Sequence, residues 1–159
     1  MGNKRKVLLI LLFALIIIIG GVILLVNNMA KDTKQEVTIK TDKEVISSRF
    51  PNVGEFIKCY WKADVIGKKN NGRVPGPSAY WMKGFIEIDG EKINSYIERY
   101  NMKRIDENIQ FDFYPENFDI KTAKWFFSNE FNDFIKPPSF FGKFYIDSIN
   151  KVIYFDVRK

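Results

Sequence analysis

Five residues stand out for the chemistry that they can do together: Lys68, Lys69, Arg73, Tyr80 and Trp81. The first three lie in residues 67–78, GKKNNGRVPGPS, and the aromatic pair follows directly. Between positions 58 and 83 the basic residues Lys58, Lys62, Lys68, Lys69, Arg73 and Lys83 face a single acid, Asp64. Guanidinium and ammonium groups bind carboxylate and phosphate by charge-assisted hydrogen bonds. Arg and Trp are also the residues on which interface affinity most often rests. Val74-Pro75-Gly76-Pro77 restricts the backbone, which lowers the entropy lost when a partner binds. The chemistry that this stretch suits is binding to something acidic: an envelope polymer, lipid headgroups or a protein. The same residues also fit an ordinary solvated loop, with Trp81 packed against a helix.

A second set is acidic. Asp112, Glu116 and Asp119 surround the end of one expected strand, and Asp147 and Asp156 stand near the C-terminus. Paired carboxylates can hydrolyse a glycosidic bond when they lie about 5–9 Å apart, but nothing in the spacing brings two of these together. The D-x-D-x-D-G calcium pattern is absent. The chain has no histidine, which excludes Ser-His-Asp and Cys-His catalysis and any His-containing zinc site. Its one cysteine, Cys59, forms neither an internal disulfide nor a thiolate zinc site, and reads as a small buried hydrophobe. G-x-S-x-G, P-loop and G-x-G-x-x-G patterns are all missing. No catalytic residue, metal ligand or cofactor is therefore assigned. An envelope hydrolase that uses carboxylates, or a serine with a lysine base, remains the enzymatic alternative.

What must position these groups begins with residues 7–26, VLLILLFALIIIIGGVILLV. This run carries no charge, and about 20 apolar residues at 1.5 Å rise cross a bilayer core. It is long for a cleaved signal peptide and lacks an A-x-A-like cleavage site. A lipoprotein would need a cysteine just after the run, and the only cysteine is Cys59. It reads as a transmembrane signal anchor. Lys4, Arg5 and Lys6 form a basic tip in residues 1–6, so the positive-inside rule puts the N-terminus in the cytoplasm and the rest outside. The net charge of +6 comes from 25 basic and 19 acidic residues. Beyond the tip, 22 basic residues face the same 19 acids, a surplus of three. That is too small for a nucleic-acid surface. Frequent Lys, Ile, Asn and Phe suit an AT-rich bacterial genome.

Residues 27–44 read as a polar linker and 45–159 as one extracytoplasmic domain. Residues 56–66 alternate, with Ile57, Cys59, Trp61, Ala63 and Val65 on one face, the period of a half-buried antiparallel strand. Residues 79–88 repeat the pattern, with Gly84 marking a bulge or a close backbone approach. Ile93, Tyr96, Ile97 and Tyr100 form one helical face. Ile109, Phe111 and Phe113 predict a third strand that stops at Pro115. Trp125, Phe127, Phe131 and Phe134 suggest a helical stripe. Residues 140–147 and 151–158 predict a hairpin, apolar on both faces and so central in its sheet. The fold expected is α+β: a transmembrane helix, then an antiparallel sheet of about five strands with one or two helices on one face. The function expected is a membrane-anchored, non-catalytic binding or interaction domain in the cell envelope. A structural subunit of a membrane assembly is the other non-enzymatic alternative.

Overall fold

The computed structural model describes residues 37–66, 79–106 and 109–159, with Gly20 besides. The run 7–26, Gly20 apart, and the stretch that holds Lys68, Lys69 and Arg73 lie outside the described residues. Among the described residues no helix is long and apolar enough to cross a membrane. The unit treated below is Val37–Lys159.

Its elements run α1 (Lys43–Arg49), a 3-10 turn (Pro51–Val53), β1 (Lys58–Val65), β2 (Tyr80–Glu87), α2 (Gly90–Arg99), β3 (Lys103–Arg104), β4 (Trp125–Phe127), α3 (Asn129–Ile135), β5 (Phe141–Asp147) and β6 (Val152–Arg158). The strands form one six-stranded sheet in the order β1-β2-β6-β5-β4-β3, antiparallel at every pairing. The architecture is α+β as expected, with six strands rather than five and three helices rather than one or two.

Local chemistry sets the element boundaries. Pro51 ends α1, because a residue before proline is driven out of helical geometry. Asp89 caps α2 by accepting from the Glu91 amide at 2.7 Å. Ser128 caps α3 by accepting from the Phe131 amide at 3.4 Å. Each such cap satisfies an orphan amide of the first turn. Gly84 is a close-approach glycine and not a bulge. The β1–β2 register runs through it unbroken, and a Cβ there would lie 2.4 Å from the Tyr60 carbonyl oxygen.

Both faces of the sheet bury apolar side chains. On the first, Cys59, Trp61, Met82, Ile86, Phe144, Ile153 and Phe155 meet Ile46 of α1, Ile93 and Tyr96 of α2, and Phe131 and Ile135 of α3. All three helices thus cover one face. Phe50, fully buried, has three rings within 5.3 Å: Phe140, Phe144 and Phe155. Burying one such side chain is worth about 1.5–3 kcal/mol. On the second face, Phe85, Tyr145, Val152 and Tyr154 form a core with Phe118 and Trp125. The terminal hairpin supplies both layers from β5 and β6, which explains its two apolar faces and its central place.

Two expectations need correction. Residues 109–115 form no strand. Phe111 and Phe113 instead pack as a strap over the second face. Phe111 stands 4.8 Å from Tyr154 and 5.3 Å from Phe85, and Phe113 5.8 Å from Phe85. Their alternation reflects contact with a sheet below, not a place in the ladder. The stripe of Trp125, Phe127, Phe131 and Phe134 is not one helix either. Ser128 divides it into β4 and α3, so Trp125 joins the second core while Phe131 joins the first.

Candidate functional site

The strap covers only part of the second face. Toward the ends of the strands that lead into and out of residues 67–78, the cross-strand rows change character. Tyr60, Phe85, Tyr154 and Tyr145 give one aromatic row. The next is Lys62, Lys83, Asp156 and Lys143, and the last is Asp64, Trp81, Arg158 and Phe141. Period-two alternation puts all of these on one side of the sheet.

In the charged row, Lys83 sits between two carboxylates. Its Nζ lies 3.3 Å from Asp112 of the strap and 3.4 Å from Asp156 of β6. Lys62 and Lys143 each place the ammonium over a ring, at 5.0 Å from the centroid of Phe113 and 5.4 Å from that of Phe127. In the last row Arg158 stands between Trp81 on β2 and Phe141 on β5. Phe141 is 73% exposed, an unusual state for a phenyl ring. Among the described residues the Arg158 guanidinium has no carboxylate or hydrogen-bond acceptor. It lines two adjoining cavities. One, of about 320 Å³, also includes Ile66, Trp81, Lys83 and Asp112. The other, of about 510 Å³, includes Gln110, Phe141, Lys143 and Tyr145. Both share Asp156, so a groove runs across β2, β6 and β5 beside the strap.

The two described members of the sequence-derived site are not brought together. Trp81 faces this groove. Tyr80, one residue earlier, faces the other way. Its hydroxyl accepts from Arg49 Nη1 at 2.5 Å, and its ring meets Phe140 at 6.0 Å. Tyr80 is thus engaged in holding α1 to the sheet. Lys68, Lys69 and Arg73 lie outside the described residues. Sequence reasoning missed Arg158 and Phe141, far along the chain from Trp81. The only available signal was the two-sided hairpin, whose central position makes its last residues neighbours of β2.

The acids take separate roles. Asp112 and Asp156 are held by Lys83. Asp147 is fully buried and accepts from the amides of Lys124 at 2.9 Å and Ile149 at 3.0 Å, and from Asn150 Nδ2. It shapes the β5–β6 turn and is closed to any ligand. Asp119 accepts from the Lys121 amide in a turn of its own. Glu116 lines a different cavity, a cleft of about 600 Å³ on the same face but at the opposite end of the strands. Among the described residues no three Cys, Asp or Glu side chains converge to hold a metal ion.

Ionisation is shifted by burial at several groups. The Cys59 thiol is pushed up to about 11, by burial first, against the nearby Lys43 charge. A thiol so placed stays protonated and unreactive at neutral pH. The Tyr154 hydroxyl, at the foot of the groove, is pushed well up by burial and then by Asp156, Asp112 and Tyr145. Neither is poised for proton transfer near pH 7.

Comparison with protein-family models, with curated proteins and with solved structures found no match to this chain.

Proposed function

We propose that the chain is a single-pass membrane-anchored protein of the cell envelope whose outer domain binds an anionic partner without catalysis. The observation that carries this reading is Arg158, without a carboxylate or hydrogen-bond acceptor among the described residues, between Trp81 and the exposed Phe141. An arginine flanked by aromatic rings can bind carboxylate or phosphate by its fork while the rings cover the apolar part of the same ligand. The row is rigid, because all three residues stand on neighbouring strands. Charge alone does not support the reading. Around the groove Lys62, Lys83, Lys143 and Arg158 oppose Asp64, Asp112 and Asp156, a surplus of one. Selectivity must therefore come from the geometry about Arg158. Lys68, Lys69 and Arg73, in the connection between β1 and β2, would add favourable charge and raise the association rate.

Fluorescence tests this directly. Of the three tryptophans, Trp61 and Trp125 are buried at 4% and 7% exposure, and Trp81 is the half-buried one. Acrylamide quenching of the full chain in detergent should therefore report mainly on Trp81. Poly(glycerol phosphate) or poly-L-glutamate, as anionic probes, should reduce the quenching, and added salt should restore it. Arg158→Ala should weaken the protection about tenfold or more, the loss of a charge-assisted pair. If neither probe protects Trp81, or Arg158→Ala binds as tightly, the anionic-partner reading fails.

A further inference from the structure

The cleft at the other end of the second face is a separate site, and its lining differs in kind. Its floor is apolar: Phe85, Phe118 and Val152. Its walls carry two tyrosines, Tyr60 from β1 and Tyr114 from the strap. Tyr114 is 55% exposed, and its ring rests 6.2 Å from that of Phe118. Besides Thr41 and Asn150, the polar side chains that line it are Lys58, Glu87, Glu116 and Asn117. Among the described residues these four side chains make no hydrogen bond or ion pair, although Lys58 and Glu87 are direct cross-strand partners. An ammonium, two carboxylates and a planar amide are thus available around one volume of about 600 Å³.

We propose that this cleft binds a neutral oligosaccharide. Three features select that class. An exposed tyrosine ring offers a flat apolar face with a polar rim, which suits the C–H face of a pyranose. Carboxylates and amides both accept from and orient vicinal hydroxyls, and the amide and ammonium donate back. The charge balance, one cation to two carboxylates, disfavours an anionic ligand and so separates this site from the groove at Arg158. The volume lies within the range of small-ligand sites and accommodates a short oligosaccharide. The inference does not rest on the anionic partner proposed above, since the two sites share no lining residue.

The test uses the full chain in detergent, with N,N′,N″-triacetylchitotriose and cellotriose as probes, followed by calorimetry and by amide NMR shifts. At least one trisaccharide should bind with a dissociation constant near or below about 1 mM, with shifts centred on Tyr60, Tyr114 and Asn117. Tyr114→Ala should weaken binding about tenfold or more, and Tyr114→Phe should retain most of it, because the ring face survives. Tyr114 is exposed enough that an unchanged melting temperature should accompany its loss. Asn117→Ala gives a second variant that leaves the ring in place and should also weaken binding. Trp81→Ala and Arg158→Ala should leave sugar binding unchanged. No shift in the cleft at about 10 mM of either sugar would overturn the proposal. So would equal affinity in Tyr114→Ala.

Discussion

Gly142 has a φ of +131°, and a Cβ on it would lie 2.1 Å from the Asp156 carbonyl oxygen. That position lets β5 pass close to β6 just where Phe141 turns outward and Asp156 meets Lys83. Gly142→Ala should cost about 3 kcal/mol or more in urea unfolding, from backbone strain and the clash with main chain. Cys59 gives a test in pH. Its folded pKa is raised to about 11 from an ordinary 9.0, so the folded state holds the proton more tightly than the unfolded chain does. The stability that this supplies is complete below about pH 9 and is lost as pH rises toward 11. Cys59→Ala should flatten that part of the stability profile. In the parent, a thiol reagent at pH 8 should react only after denaturant is added. Buried apolar and polar positions such as these were partly legible. Cys59 fell on the apolar side of an alternating strand. Asp147, buried with three hydrogen bonds, carried no local mark to distinguish it from a solvated strand-end acid.

At the scale of elements, periodicity identified what repeats against a flat partner and misjudged what crosses one. β1, β2, α2 and the β5–β6 hairpin each keep one period over seven or more residues, long enough for the pattern to decide. Residues 109–113 alternate too, but they bind the sheet through rings and through Asp112 rather than through backbone pairing. β4, at three residues, is too short to show a period, α3, at seven, spans fewer than two helical turns, and Ser128 marks their junction. The strap should therefore depend on its aromatic contacts. Phe111→Ala, which removes rings packed on Phe85, Phe118, Trp125 and Tyr154, should destabilise by about 3 kcal/mol and reduce the near-ultraviolet dichroism. Lys83→Met should cost far less, about 1 kcal/mol or under, because exposed ion pairs contribute little. Removing the caps by Asp89→Ala or Ser128→Ala should cost about 1 kcal/mol each in the same unfolding assay.

For the whole molecule, the second face of the sheet is divided in chemistry. Its middle is sealed by the strap, and its two ends stay open with different chemistry: an arginine between aromatic rings at one, and a tyrosine-walled polar cleft at the other. The first face is covered by the three helices together with Phe50, Val53, Phe56 and Phe140. Of the row Trp81, Arg158 and Phe141 only Trp81 was legible as a binding residue in sequence, because Arg158 and Phe141 reach it through strand order and not through proximity in the chain. The groove at Arg158 is the place proposed for contact with an anionic partner. The most direct test is site-specific photocrosslinking in cells, with the photoreactive residue at Phe141 in one strain and at Ile120 in another. Both side chains are exposed, at 73% and 47%, and Ile120 lines neither the groove nor the cleft. Position 141 should give a discrete adduct to an anionic polymer or acidic protein, lost in Arg158→Ala, and position 120 should give none. The same adduct from both positions, or one from position 141 that survives Arg158→Ala, would contradict it.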